Sequence, residues 1–173
     1  KIILGPNNVN SGLSIPSHRE IVIWREEELN KVLVHELIHT FKLDEKLYET
    51  NDLKKYVYSR LNISKNTEIN PNEAYTEALT ILLNTIFNIV DLNNKNSQQY
   101  KKYVKQINDE ICFSIEQASK ILIYNNYSSF DELLSLNNKN NMWKQESNVL
   151  SYYILKIAIL YNLKEFFKYL KST

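Results

Sequence analysis

VLVHELIH, residues 32–39, is the stretch from which the fold and chemistry of this chain can be argued. His35 and His39 stand four residues apart, so a helix projects both from one face toward a single ion. Glu36 leaves that helix about 100° from His35, where it can act as general base on a water molecule without displacing it. The flanking residues are apolar, and unpaired imidazoles buried among them would be costly. The stretch therefore predicts a zinc-binding helix, against the alternative of a chance match.

A small β element precedes this helix. Residues 20–24 (EIVIW) are rich in β-branched side chains and predict a strand. Residues 8–15 predict a shorter extended segment, joined to that strand through residues 16–18 as an antiparallel hairpin. The helical pattern begins at Glu26, with three acidic residues in its first turn and an apolar stripe after them. We expect this helix to cover residues 26–42.

The rest of the chain is predicted to be helical, because it holds few glycines and prolines and several amphipathic runs. Asn70-Pro71 pairs a cap residue with a proline at the first helical position. The expected helices cover residues 53–61, 70–90, 98–124, 130–136 and 142–170, the last interrupted near Asn162. The fold class is therefore mainly α (α+β), in a single domain over 1–173 with a hairpin region over 1–25, metal-site helices over 26–90 and a helical bundle over 98–173.

A catalytic zinc site usually has three protein ligands and one open position, so a third ligand must lie elsewhere in the sequence. Glu73 and Glu77 stand four apart in an otherwise almost wholly apolar helix, where two carboxylates need a cation or hydrogen-bond donors. We expect Glu73 to bind the metal and Glu77 to accept the second N–H of a ligand histidine. The reverse assignment stays open, as does a capping box in which Glu73 bonds to the amide of Asn70.

The motif HELIH at 35–39 and the later element NEAYTE at 72–77 resemble the gluzincin metallopeptidases, the thermolysin-like group. The resemblance implies a zincin-like core, a metal-ligand role for Glu73 and a histidine-orienting role for Glu77. It also implies an edge strand before the motif helix, for which residues 10–13 are the candidate. Glu73 follows His39 by 34 residues, which is similar to the spacing in clostridial neurotoxin light chains. The remaining chain does not look like a toxin.

A metzincin pattern fits less well. Its glycine would fall at Lys42 and its third histidine at Glu45. Asp44 and Glu45 are therefore expected to form a solvated helix exit rather than to bind metal. The third histidine, His18, lies in the predicted hairpin turn and is expected to be exposed.

The proposed reaction also needs a donor for the tetrahedral oxyanion, and the resemblance implies a Tyr, His or Arg from the C-terminal region. The sequence offers Tyr152 and Tyr153. On a regular α-helix Tyr153 shares an inward face with Glu146 and Ile157. Tyr153 is therefore the predicted catalytic partner of Glu36, with a packed core tyrosine as the alternative.

Composition constrains partners and compartment. The charges are balanced, at 21 Lys and Arg against 20 Asp and Glu, so no global field attracts nucleic acid or an anionic membrane. No apolar run approaches the length that spans a bilayer, and a soluble protein is expected. The single cysteine, Cys112, is expected to be a small buried hydrophobe, which slightly favours a reducing compartment such as the cytoplasm.

The leading hypothesis is a zinc-dependent metallopeptidase that hydrolyses peptide or protein substrates by zinc-activated water, with Glu36 as general base. The alternative is a non-catalytic helical interaction protein whose zinc site is structural or degenerate. A third hypothesis is a metallohydrolase that acts on a non-peptide amide.

Overall fold

The computed structural model describes residues 2–15, 17–18, 20–44, 51–90, 96–136 and 141–172. In these ranges the protein is mainly helical, with a two-stranded antiparallel sheet near the N-terminus, which confirms the expected α+β class. The elements in chain order are α1 (Pro6–Val9), β1 (Gly12–Ile15), β2 (Glu20–Ile23), a 3₁₀ turn (Glu26–Glu28), α2 (Leu29–Thr40), α3 (Asn51–Arg60), α4 (Asn72–Ile89), α5 (Asn96–Tyr124), α6 (Phe130–Leu134), a π-helix (Leu150–Leu155), α7 (Lys156–Tyr161) and α8 (Leu163–Ser172).

The predicted hairpin is present and packs against the motif helix. β1 and β2 pair antiparallel, with Gly12 opposite Ile23, while Pro16 of the predicted turn lies outside the described residues. β1 approaches α2 closely, because a Cβ on Gly12 would lie only 2.6 Å from Cγ1 of Val32. Only glycine permits this approach, which holds the sheet beside the histidine-bearing helix.

The extended segment expected over 8–15 is shorter than predicted, because residues 6–9 form the one-turn helix α1. Pro6 stands at the start of this turn, where its missing N–H has no cost. The side-chain oxygen of Asn8 accepts a hydrogen bond from the N–H of Gly5 at 3.0 Å. This local bonding by Asn competes with strand formation.

Helix α4 is central to the packing. It contacts α2 on one side and α5, α7 and the π-helix on others, and α2 in turn packs on β1. One apolar cluster joins the core residues of α4, α5, α7 and α8. A second cluster forms around Trp143, where α3, α5, α6 and the π-helix meet. The motif helix is therefore fixed between the sheet and α4, whose first turns carry the predicted carboxylates.

The helix expected over 142–170 is wrong in its first part, since residues 142–148 are irregular. Trp143 is fully buried, and its backbone pairs with the segment that follows α3. The N–H of Trp143 donates to the carbonyl of Asn62 at 2.8 Å, and its carbonyl accepts from the N–H of Ser64 at 3.0 Å. Tertiary pairing around a buried tryptophan outweighs the local helical preference here.

Regular helix begins only after a side-chain cap. The side-chain oxygen of Gln145 accepts from the N–H of Leu150 at 2.8 Å, and the chain continues as a π-helix rather than an α-helix over Leu150–Leu155. The interruption predicted near Asn162 is confirmed, because α7 ends at Tyr161 and α8 begins after it.

Two expectations about the surface have different outcomes. Cys112 is exposed on α5, so the predicted buried position is wrong; it follows Ile111 and lies one position off the apolar stripe of the helix. His18 is exposed in the hairpin turn, as predicted. Within the described ranges, no helix combines the length and apolarity that crossing a bilayer requires.

Candidate metal centre

Helices α2 and α4 bring the predicted ligands together. Nε2 of His35 lies 3.1 Å from Nε2 of His39. Each of these nitrogens lies 3.5 Å from Oε2 of Glu73, which projects from the first turn of α4. We call this set, His35, His39 and Glu73, the histidine corner.

Two other carboxylates determine which ring nitrogen carries the proton. Nδ1 of His39 lies 2.8 Å from Oδ2 of Asp44. Nδ1 of His35 lies 3.0 Å from Oε1 of Glu77, although this contact is not aligned as a hydrogen bond. A carboxylate opposite Nδ1 favours a proton on that nitrogen, so in the neutral rings the lone pair is on Nε2.

The three inner atoms of the histidine corner are then all acceptors. Two imidazole lone pairs and a carboxylate oxygen face one another, and Oε2 of Glu73 has no hydrogen-bond partner among the described residues. Such an arrangement is repulsive unless a cation or a proton lies between the atoms. Zinc bonds of about 2.0–2.1 Å give a tetrahedral edge of about 3.3 Å, and the observed separations of 3.1 and 3.5 Å bracket that edge. The cluster could hold a metal ion.

The two carboxylate oxygens of Glu73 face different partners. Its Oε1 lies 3.4 Å from the side-chain amide nitrogen of Asn70, while its Oε2 faces the histidines. The side-chain oxygen of Asn70 accepts from the N–H of Asn72 at 3.3 Å. The contact at the helix start therefore differs from a capping box, because the carboxylate meets the side chain of Asn70 and leaves its other oxygen facing the histidines.

The expectation of a solvated helix exit is wrong for Asp44, which is 2% exposed; Glu45 lies outside the described residues. Helix α2 ends in a turn in which the N–H of Lys42 bonds to the carbonyl of His39, and the N–H of Leu43 to that of Ile38. This Schellman turn requires a left-handed residue, supplied by Lys42 at φ 57°. The turn directs Asp44 back to His39.

These contacts shift the pKa values of the metal-free groups. Burial alone lowers the pKa of His35, but Glu73 and Glu77 outweigh it and raise that pKa to about 10. Burial likewise opposes the rise in the pKa of His39, which Glu73 and Asp44 produce. Burial raises the pKa of Glu73, but both histidines outweigh it and lower that pKa to about 2. In the metal-free cluster a proton therefore takes the position of a cation.

Glu36 is 6% exposed and borders a cavity of about 230 Å³ beside His35. β1, α2, α4, α5 and the π-helix supply the cavity walls. The general-base candidate and one histidine are thus at the edge of the same cavity. The cavity and the histidine corner share His35, so the cavity lies directly beside that cluster.

The two candidate tyrosines both line this cavity, but Tyr152 is the one against the histidine corner. Its ring centroid lies 6.2 Å from that of His35 in an edge-on arrangement. Burial is the main cause of the raised pKa of Tyr152, and the nearby carboxylates of Glu73 and Glu77 add to it. The ring of Tyr153 instead lies 5.8 Å from Nζ of Lys156. The α-helical spacing that favoured Tyr153 does not apply, because both residues are in the π-helix.

Two lysines that the sequence analysis did not single out lie behind Glu77. Nζ of Lys31 is 3.5 Å, and Nζ of Lys156 is 3.4 Å, from the same oxygen, Oε2 of Glu77. We call Lys31, Lys156 and Glu77 the lysine corner. A signal was present in the sequence, since Lys31 precedes His35 by one helical turn and Lys156 interrupts an apolar run.

Comparison with known proteins gives a relative but no function. The chain is 31% identical, over 158 residues, to an uncharacterized protein of Acanthamoeba polyphaga mimivirus. The match covers 90% of this chain and 39% of the viral protein, so the chain spans about two fifths of that relative's length. No family model matches the chain, and no solved structure matches it.

Proposed function

We propose that this chain is a zinc-dependent metallopeptidase, in which His35, His39 and Glu73 hold the metal and Glu36 is the general base. The observation that carries the proposal is the convergence of three acceptor atoms, one of them a buried carboxylate oxygen without a hydrogen-bond partner among the described residues. Two histidines and one carboxylate are a donor set that suits zinc. The gluzincin resemblance of the two motifs supports the same assignment.

Three protein ligands favour a catalytic over a structural site, because structural zinc sites are usually closed by four. Asp44 and Glu77 do not complete a fourth position, since each faces the outer nitrogen, Nδ1, of a histidine. A bound zinc ion would supply Lewis acidity, which acidifies water and polarises a carbonyl oxygen. The remaining roles belong to the side chains of this chain.

Glu36 accepts a proton from the water that attacks the peptide carbonyl carbon. As the C–N bond breaks, the same carboxylic acid returns the proton to the leaving amine, so that one carboxyl group serves both steps. Tyr152, whose pKa is raised by burial, keeps its phenolic proton and can donate it in a hydrogen bond to the tetrahedral oxyanion. Tyr152 replaces Tyr153 as the proposed donor because its ring lies against His35.

The test compares the wild type with Glu36→Gln and with a matched control, Glu27→Gln, at an exposed acid of the same region. Each purified protein is assayed for bound zinc, for melting temperature and for cleavage of a mixed peptide library. We expect about one zinc per chain in all three, and a roughly 10²- to 10⁴-fold loss of cleavage in Glu36→Gln alone, the usual contribution of a general base.

Three results would contradict the proposal. Absence of zinc binding would remove the metal centre. If zinc binds but the wild type cleaves nothing, or Glu36→Gln cleaves as fast as the wild type, the site is not the proposed catalytic one. The structural-zinc alternative would then account for the histidine corner.

A further inference from the structure

The lysine corner forms the part of the cavity wall next to His35. The cavity of about 230 Å³ is bordered by His35 and Glu36 and also by Lys31, Lys156 and Glu77. Oε1 of Glu77 contacts His35, and Oε2 contacts both lysines. A single carboxylate therefore separates the two ammonium groups from a metal-ligand candidate.

Lys156 has more hydrogen-bonding capacity than its protein partners use. The residue is only 6% exposed, and among the described residues its ammonium hydrogen-bonds to Glu77 at 3.4 Å and lies over the ring of Tyr153. An ammonium group carries three N–H donors. Burial lowers the pKa of Lys156, as expected for a cation that is incompletely compensated. An anionic acceptor in the cavity would satisfy the remaining donors.

The charges in contact at this corner also favour a monoanion. Two lysines share the one carboxylate of Glu77, which leaves an excess of one positive charge. Glu110 acts on both lysines at longer range, and Glu28, another residue of the cavity wall, acts on Lys31, so both acids reduce this excess. Glu36 also lines the cavity, and its carboxylate would repel a dianion such as phosphate more strongly than a monoanion. A single carboxylate matches the corner in both charge and number of acceptor atoms.

We propose that the lysine corner is a subsite for a carboxylate of the substrate, carried by the residue next to the cleaved bond. The inference rests on the proposed peptidase function and names its substrate class. An extended chain advances about 3.3–3.6 Å per residue, and Glu77 contacts His35 as well as both lysines, so adjacent residues of a substrate can reach both corners. The carboxylate is either an acidic side chain or the C-terminal carboxylate of the peptide.

The experiment measures peptide binding to the zinc-loaded Glu36→Gln protein, which retains the site but does not cleave. One peptide pair differs only by Glu or Gln at the position next to the bond that the wild type cleaves, or at successive positions if it cleaves none. A second pair has a free or an amidated C-terminus. We expect the carboxylate member of one pair to bind roughly 10- to 100-fold more tightly, the range of a charge-assisted hydrogen bond. The pair that shows the preference identifies the source of the carboxylate.

Lysine variants separate this subsite from direct binding of the carboxylate to zinc. Lys156→Met should abolish the preference at unchanged zinc content, and Lys156→Arg should retain part of it. Lys31→Met, at a half-buried position, provides a second test if Lys156→Met does not fold. The matched control is Lys120→Met on α5, since Lys120 is exposed and pairs with Glu116 outside the cavity.

The outcomes distinguish this inference from the proposed function. Equal binding within both peptide pairs, or a preference that survives in Lys156→Met and in Lys31→Met, overturns the subsite. If the wild type cleaves the Gln peptide as fast as the Glu peptide and the amidated peptide as fast as the free acid, the subsite fails and the peptidase stands. If carboxylate peptides bind through the lysines but the wild type cleaves nothing, the proposed function fails and the carboxylate site stands.

Discussion

Glu73 and Glu77 are the same residue type, one turn apart on α4 and both turned toward α2, yet their surroundings are opposite. At the histidine corner, Oε2 of Glu73 faces two imidazole nitrogens that are acceptors in their neutral form. At the lysine corner, Oε2 of Glu77 faces two ammonium groups. One carboxylate is short of positive charge in the neutral cluster, and the other has an excess of it.

The comparison shows how one helix pair builds two different sites from the same spacing. Lys31, His35 and His39 follow one another at four-residue steps along α2, opposite Glu77 and Glu73 on α4. At the lysine corner the two ammonium groups supply hydrogen-bond donors to Glu77, and its other oxygen can orient His35. Where only acceptors meet, a cation or a proton has to lie between them. The substitutions below act mainly on one corner.

The largest effect is expected for Glu73→Gln at the histidine corner. If this carboxylate is one of three ligands, its loss removes roughly a third of a binding free energy of about 10 kcal/mol or more, which is a loss of roughly a few hundredfold or more in zinc affinity. Chelator competition measures this, with Glu27→Gln as the exposed control. If Glu77→Gln weakens zinc binding more than Glu73→Gln does, the ligand assignment is reversed.

Glu77→Gln should act mainly on stability. Lys156 would remain buried without a contacting carboxylate, and loss of one partner of a buried ion pair costs about 3 kcal/mol in the free energy of unfolding. Zinc affinity should fall only about 10- to 100-fold, because Glu77 orients a ligand rather than binding the metal.

Urea unfolding in the presence of a chelator measures the stability loss of Glu77→Gln. The double variant Glu77→Gln with Lys156→Met should recover part of it, because no unpaired charge remains at that position. If the double variant is as unstable as the sum of the two single ones, the ion pair is not the source of the effect.

The parts of both corners that the sequence predicted depend on local spacing. Two residues four apart share a helix face wherever the helix lies, so His35, His39, Glu73 and Glu77 could be identified before the packing was known. The hairpin was predictable for the same reason, from a β-branched run and a turn. That zinc occupies the site, and that the chain is one domain, remain predictions.

The parts that the sequence analysis missed depend on backbone geometry that no side-chain pattern specifies. Asp44 reaches His39 only because Lys42 takes a left-handed conformation. Tyr152 replaces Tyr153 at the histidine corner because the helix there is a π-helix, which changes the angle between successive side chains. Trp143 is not part of the predicted final helix because its backbone pairs with Ile63, about 80 residues earlier in the chain.

The pH dependence of zinc binding tests the convergence of acceptors at the histidine corner. The metal-free pKa of His35 is raised from 6.5 to about 10, so at neutral pH zinc must displace a proton. Apparent zinc affinity should therefore rise about tenfold per pH unit between pH 6.5 and 8.5, measured by chelator competition and by proton release in two buffers. An affinity that does not change with pH would contradict the shared proton.

The stability of the metal-free protein should change in the opposite direction. The folded pKa of His35 is above its unfolded value, so its contribution is fully present below about pH 6.5 and is lost as the pH rises through about 10. Glu73 has a lowered pKa, and its contribution is present above about 4.5 and lost as the pH falls through about 2. Urea unfolding of the protein in the presence of a chelator, repeated across this pH range, measures where each contribution to the free energy of unfolding is lost.

The smallest effect is expected for Lys42→Gly, in the turn that carries Asp44 to the histidine corner. Lys42 has a φ of 57°, a conformation that costs a side-chain-bearing residue about 1–2 kcal/mol. Glycine removes this cost but adds backbone freedom to the unfolded chain, so we expect a net gain of about 0.5–1 kcal/mol. For a chain of this size that gain is about 1–4 °C in melting temperature.

Lys42→Ala is the matched control, since it removes the side chain but keeps the left-handed cost. If Lys42→Ala stabilises as much as Lys42→Gly, the side chain and not the backbone is responsible, and the turn that positions Asp44 is unstrained.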